Sequence, residues 1–267
     1  VTRLDRALVD RGLIRSRSRA AREIAAGRVS VNAATVSKAS AEVGETDEIT
    51  VADPDPWVAR SAHKLLGALD SFGIGTLTGR TALDAGASTG GFTQVLLSRE
   101  ATEVWAVDVG HDQLDATLRD DPRVRVREGL NLRDLASSDV PTVDLVVADV
   151  SFISLRLLLD PLLAATKPGG GLLLMVKPQF ELARSSLDKH GVVARAANRR
   201  RAVLSVVDSV AEHDARVTDI APSALPGPSG NREYFLRVRP GRTPQASDRL
   251  DEADVPGHLD AIMRGES

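Results

Sequence analysis

The sequence contains no cysteine. That excludes disulfides and thiolate metal sites and makes a reducing, cytoplasmic setting the simplest expectation. Long apolar runs are also missing. The most apolar segments, residues 143–148 and 172–176, fall far short of the roughly 18 residues that cross a bilayer. Nothing at the start reads as a secretory signal, so a soluble protein without a membrane span is expected. Aromatic side chains are few, with five Phe, two Trp and one Tyr. Net charge is only −3 over 267 residues, so no global field draws the chain to nucleic acid.

What charge there is lies unevenly. Residues 1–28 carry Arg3, Arg6, Arg11, Arg15, Arg17, Arg19, Arg22 and Arg28 against Asp5, Asp10 and Glu23. A basic excess on a short segment fits a nucleic-acid face. The same segment has apolar residues at helical spacing, in two pieces broken at Gly12, with Ser16 or Ser18 placed to cap the second. Beyond Gly27 the pattern alternates (Val29, Val31, Val36, then Ile49 and Val51), which predicts short strands around an Asn turn. A small α+β domain is therefore expected over 1–52 and a linker over 53–60, where two prolines discourage helix. RLDRALVDRGLIRSRSRAAREIAAGRVSVN, with VSK after it, resembles the RNA-binding module first seen in ribosomal protein S-four. That resemblance implies that the basic side chains face structured RNA.

From Thr81 onward strands and helices alternate. Strands are predicted at 81–85, 103–108, 123–126, 143–149, 171–177, 215–220 and 233–239. Crossover helices between parallel strands give an α/β, doubly wound, mostly parallel Rossmann-like sheet of seven strands over 61–240. Its ligands bind beyond the carboxyl ends of the strands. The tail, 241–267, is rich in Asp, Pro and Ser. It is expected to be partly disordered, with a short helix near 257–264.

TALDAGASTGGFTQVLL (81–97) reads as strand, glycine-rich turn and helix. The dinucleotide fingerprint is G-x-G-x-x-G, whereas Gly86, Ser88, Gly90 and Gly91 spell G-x-S-x-G-G behind the acid Asp84. A carboxylate there suits the cationic amino-acid end of S-adenosylmethionine better than a pyrophosphate. Asp108 closes the next strand and can accept from ribose hydroxyls, a need that NAD and S-adenosylmethionine share. Asn131, after the third strand, is a candidate adenine or ribose contact. The stretch resembles the class I methyltransferase motifs, with Ser88 in place of the commoner central glycine. Asp84, Gly86, Ser88, Gly90, Gly91, Phe92, Asp108, Asn131 and Asp149 are its candidate cofactor residues.

Four ionisable residues stand apart: Lys64 on a helix before the sheet, Asp149 after the fourth strand, Lys177 after the fifth, and Glu233 opening the last. Attack by a ribose 2′-hydroxyl on a methyl donor needs a nearby base. A lysine serves only when neutral, against an ordinary pKa of about 10.4. The expected roles are Lys177 as base and Lys64 as a neighbouring cation that favours its neutral form. Asp149 would orient Lys177 and the donor, and Glu233 would hold Lys64 or the ribose. No metal is implied. Phe152, Phe180, Tyr234 and Phe235 lie close to these residues in sequence and offer stacking for a base. Arg195 and Arg199–Arg201 are candidate phosphate contacts.

Lys-Asp-Lys-Glu in this order resembles the tetrad of the FtsJ-like ribose 2′-O-methyltransferases. With the N-terminal module, the words GASTGGFT, DVSFISL, VKPQFE and LPGPSGNREYFL resemble the TlyA (haemolysin A-like) rRNA methyltransferases over residues 2–239. The resemblance implies methylation of cytidine 2′-hydroxyls in ribosomal RNA of one or both subunits, linked to capreomycin sensitivity, with ribosomal subunits as partners. The basic start and the tail look closer to the members that modify both subunits. Trp57-Val58 matches a family linker implicated in cofactor binding, although Asp55 stands where an arginine is usual. A monomer is expected. The rivals are a pore-forming haemolysin, an RNA-binding factor without activity, and an NAD-linked oxidoreductase, the last disfavoured by the glycine spacing.

Overall fold

The computed structural model describes every residue except 53–54, 244, 246–247 and 266–267, together with the side chain of Glu252. It divides into two compact units, Val1–Pro56 and Trp57–Ser267. Part of the expected 53–60 linker lies outside the described residues, and Trp57–Arg60 belong to the second unit.

In the first unit, helices Leu4–Asp10 and Arg17–Ala25 are separated at Gly12. Ser16, the first of the two expected caps, accepts from Arg19 N at 3.4 Å. Leu4, Leu8, Ala20 and Ile24 share one core with Val29 and Ile49 from the strands Val29–Val31 and Ile49–Val51. Asn32 and Ala33 both have positive φ, which is the tight turn expected between Val29–Val31 and Ala34–Thr35. A second strand pair, Thr2–Arg3 with Glu42–Val43, has no counterpart in the sequence reading. Two residues cannot display a period.

The second unit is built on strands β1 Thr81–Ala85, β2 Glu103–Asp108, β3 Val124–Glu128, β4 Val143–Ala148, β5 Thr166–Val176, β6 Ala215–Pro222 and β7 Tyr234–Pro240. They form one seven-stranded sheet ordered β6-β7-β5-β4-β1-β2-β3. All neighbours are parallel except β7, which runs antiparallel to both β5 and β6. Strand order reverses between β1 and β4, the place where such sheets bind ligands.

Helices α1 Ser61–Ser71 and α2 Gly91–Ser98 bury Leu65, Leu69, Val95 and Leu96 on one face of the sheet. Helices α3 Ala196–Glu212 and α4 Val255–Gly265 bury Val203, Val206, Leu259 and Met263 on the other. Leu172–Val176, at the centre, are all 0–1% exposed.

α4 is the short helix expected near 257–264, running somewhat further at both ends. Its apolar residues at helical spacing fill the core under β6, and Arg200 of α3 pairs with Asp260 at 2.6 Å. β5 begins five residues earlier than expected, with an irregular register between Thr166 and Gly171. It ends one residue earlier, at Val176. Pro178 opens the short helix Pro178–Glu181, where its missing N–H goes unneeded. Among the described residues no helix is long and apolar enough to cross a membrane.

Candidate active site

The loops that follow β1 and β4 meet at the switch point. Gly86 adopts φ +90°, and a Cβ there would lie 3.0 Å from the Asp149 carbonyl oxygen, so only glycine lets the two loops close. Asp149 N donates to Ala85 O at 3.1 Å. Around this junction opens a cavity of about 570 Å³, walled by Gly86, Ser88, Asp108, Gln113, Asn131 and Asp149 among others. Its volume lies within the range of small-molecule sites. Asp108 accepts from Ser88 N (2.8 Å) and Gly110 N (2.7 Å). Each of its oxygens keeps a lone pair for a ribose hydroxyl. Asn131 uses its Oδ1 to cap the following turn, accepting from Arg133 N at 3.1 Å.

Four expected cofactor residues are not on this wall. Gly90 (φ +95°) leaves room for the Leu114 and Leu118 side chains, and Gly91 is the place where α2 approaches Ala59 and Ser61. Phe92 is buried against Phe235, with ring centroids 6.1 Å apart. Asp84 is fully buried and accepts from Thr93 Oγ1 at 2.6 Å, while its Oδ1 has no hydrogen-bond partner. A glycine-rich turn must be packed from below as well as emptied above, and sequence alone does not separate the two jobs.

Burial pushes the Asp84 carboxyl up to about 7, with the nearby Asp149 charge adding to the rise and the Thr93 hydrogen bonds opposing it. Its folded-state pKa is thus above the ordinary value. Between about pH 4 and pH 7 the folded protein holds a proton that the unfolded chain has released. The resulting stabilisation is complete below about pH 4 and is lost as pH rises through about 7. Urea unfolding of wild type and Asp84→Asn should therefore show the variant gaining on wild type between pH 5 and pH 8, by a few kcal/mol at most. An equal difference at both pH values would refute the assignment.

The four ionisable residues are organised as two ion pairs. Lys177 Nζ lies 2.6 Å from Asp149 Oδ1 and donates to Ser151 Oγ at 2.8 Å. Lys64 Nζ donates to Glu233 Oε2 at 2.5 Å, with both side chains buried. Lys64 is thus held by Glu233, one of the two partners expected for that carboxylate. Gly227 makes room for that carboxylate, since a Cβ there would meet Glu233 Oε1 at 2.7 Å. Lys177 and Glu233 line a second cavity of about 410 Å³ with Gln179, Phe180, His190 and Asn231. The two cavities share Ser151 and Phe152 on their walls. Gln113 carries no motif signal, and Ser151 and Ile153 lie within DVSFISL without being singled out there; proximity gives all three their place on the wall.

The model for FtsJ-like methyltransferases matches residues 57–239. The chain belongs to the FtsJ-like methyltransferase family. An S4 domain matches residues 2–49, ahead of the methyltransferase. The 16S/23S rRNA (cytidine-2′-O)-methyltransferase TlyA of Mycobacterium tuberculosis is 46% identical over 240 residues, which cover 89% of each chain. The 23S rRNA (cytidine-2′-O)-methyltransferase TlyA of Campylobacter jejuni is 36% identical over 183 residues, covering 67% of this chain and 69% of that one. A solved structure named as a hemolysin, from Streptococcus thermophilus, superimposes with a TM-score of 0.75 at 30% identity over 99% of this chain and 97% of that one. This FtsJ-like enzyme is a methyltransferase.

The N-terminal arginines are less free than the sequence suggests. Arg3 and Arg17 both bond to Asp5, Arg6 pairs with Asp10, and Arg28 pairs with the buried Glu23. Arg11 holds the 44–47 turn through backbone carbonyls, and Arg19 donates to Asp55 O. Arg19, Arg22 and Arg28 are half-buried, whereas Arg3, Arg6, Arg11, Arg15 and Arg17 are exposed. In the methyltransferase unit, Arg199 is buried and donates to Tyr234 Oη and Ala194 O, which fits a structural role instead of the expected phosphate contact.

Proposed function

We propose that the enzyme uses S-adenosylmethionine to methylate the ribose 2′-hydroxyl of cytidine in ribosomal RNA. The observation that carries this reading is the meeting of two cavities at Ser151 and Phe152, with the Lys177–Asp149 pair beside the seam. The larger cavity suits the cofactor. Asp108 offers acceptors for its ribose hydroxyls, and Gly86 and Ser88 bring backbone close to its other end. S-adenosylmethionine supplies, when bound, a methyl group on a sulfonium whose C–S bond breaks as the new O–CH₃ bond forms.

The second cavity suits the acceptor nucleotide. Lys177, in its amine form, takes the proton that the 2′-hydroxyl loses as it attacks. Asp149 and Ser151 fix the direction of its nitrogen. Glu233, held by Lys64, faces the same cavity. Phe152 is a bulky residue at φ +64° and 91% exposed, 5.2 Å from Phe180 between ring centroids. Such an aromatic pair offers a stacking surface to a base taken out of its helix.

The relatives named above act on cytidine of 16S and 23S, or of 23S, rRNA. The higher identity and wider coverage of the first favour both subunits here. A ribosomal RNA substrate supports a cytoplasmic location, where ribosomes are. Incubating 30S and 50S subunits with the protein and labelled S-adenosylmethionine should put the label on cytidine ribose, detected as blocked alkaline cleavage 3′ to the target. Label on a base, or none on either subunit, would overturn the reading.

A further inference from the structure

Glu181 is a buried carboxylate that the reaction above does not use. Its side chain is 1% exposed, yet it stands four residues beyond Lys177 on the short helix Pro178–Glu181. Its partners come from the loop after β4. Ser154 Oγ donates to Oε2 at 2.5 Å, Leu155 N donates to Oε1 at 2.8 Å, and Arg156 Nε lies 3.5 Å from Oε2. The loop is thus tied to the end of β5 twice. Lys177 holds its start through Asp149 and Ser151, and Glu181 holds its end.

Between the two ties sits Phe152. A left-handed backbone at a residue with a Cβ costs about 1–2 kcal/mol, and an exposed ring recovers little of that by burial. Strain of this kind persists only where the surroundings over-determine it. The Phe180 ring lies beside Phe152, but Phe152 stays 91% exposed, so the loop's ends must supply the rest. The hydrogen bonds to Glu181 are charge-assisted and buried, the strong class.

We infer that Glu181 is a positioning residue: it holds the 149–155 loop so that Phe152 stays in its left-handed conformation and Ser151 stays against Lys177. The inference rests on the proposed acceptor role of the second cavity for its kinetic consequence, but not for its structural one. Without the tie at Ser154 and Leu155, the Phe152 backbone relaxes to negative φ and its ring leaves Phe180. The acceptor nucleotide then loses both its stacking surface and the aligned lysine, while the Gly86–Asp108 side of the cofactor cavity is untouched.

The test uses the full chain as wild type, Glu181→Gln, Ser154→Ala, Phe152→Ala and the Glu181→Gln/Phe152→Ala double variant. Ser154→Ala removes the hydrogen bond to Glu181, and with it those from Arg156 N and Nε to Ser154 Oγ, without orphaning a charge, so it reports even where the glutamine variant folds poorly. Backbone chemical shifts and the HN–Hα coupling of labelled Phe152 should move from left-handed to extended values in both loop variants. Methyl transfer to ribosomal subunits should fall about tenfold or more in Glu181→Gln, with S-adenosylmethionine affinity within a fewfold. In the Phe152→Ala background the Glu181→Gln loss should shrink to about twofold, because residues acting through one another are not additive. Unchanged Phe152 shifts in both variants, or full additivity of the two losses, would overturn the inference. A wild type inactive on ribosomal RNA would instead count against the proposed substrate and leave the shift measurement standing.

Discussion

Lys177→Ala is expected to lower methyl transfer by about 10²–10⁴-fold, the usual contribution of a positioned acid or base. S-adenosylmethionine affinity should stay within a fewfold. The separation follows from which wall each residue belongs to. Lys177 lines the smaller cavity, whereas Asp108, Gly86 and Asn131 line the larger. Removing the lysine leaves the Asp149 carboxylate without its 2.6 Å partner. That group borders the open larger cavity, so water can solvate it and the fold should survive. Single-turnover rates with saturating cofactor, alongside calorimetric cofactor titration, check both halves. Turnover near wild type in Lys177→Ala would remove it as the base. A parallel collapse in cofactor affinity would make it a cofactor residue.

Glu233→Ala is expected to show the largest loss of stability, about 3 kcal/mol by urea unfolding. It strands the Lys64 ammonium, whose side chain is 6% exposed. Breaking one partner of a buried ion pair commonly costs 3–5 kcal/mol. The low end applies because Glu233 borders a cavity that water can enter. Lys64→Met combined with Glu233→Gln removes the stranded charge and should recover most of the stability but not the activity. If the double variant were no more stable than Glu233→Ala, the loss would come from packing around Gly227 rather than from the unpaired lysine.

Much of this architecture was legible in the chain because both faces of its central strands are covered. Thr81–Ala85, Glu103–Asp108 and Leu172–Val176 read as strands from apolar runs that no helix period fits. The order of the four ionisable residues along the chain also anticipated two of their contacts, Lys64 with Glu233 and Lys177 with Asp149. What stayed hidden depended on distances in space. Gly90, Gly91 and Phe92 looked like ligand residues because a turn's upper and lower surfaces use the same small residues. Glu181 passed unnoticed because its partners lie 26 and 27 positions away, across β5. The tail helix was expected near 257–264 but its burial was not, although Val255, Leu259 and Met263 keep a helical spacing that the core under β6 uses.

The reversed direction of β7 has a consequence for how this enzyme can vary. Val176 pairs with Tyr234, so Lys177 and Glu233 sit at adjacent strand ends by register alone. The turn between β6 and β7, with its exposed Ser229 and Gly230, can therefore lengthen or shorten without separating the two residues. A one-residue deletion inside β7 cannot be absorbed in that way, because it would turn every side chain of the strand to the opposite face. Diversification, natural or by loop grafting, can act at 228–230, where Pro228 and Ser229 would reshape the wall of the second cavity, but not within β7 only a few residues further on.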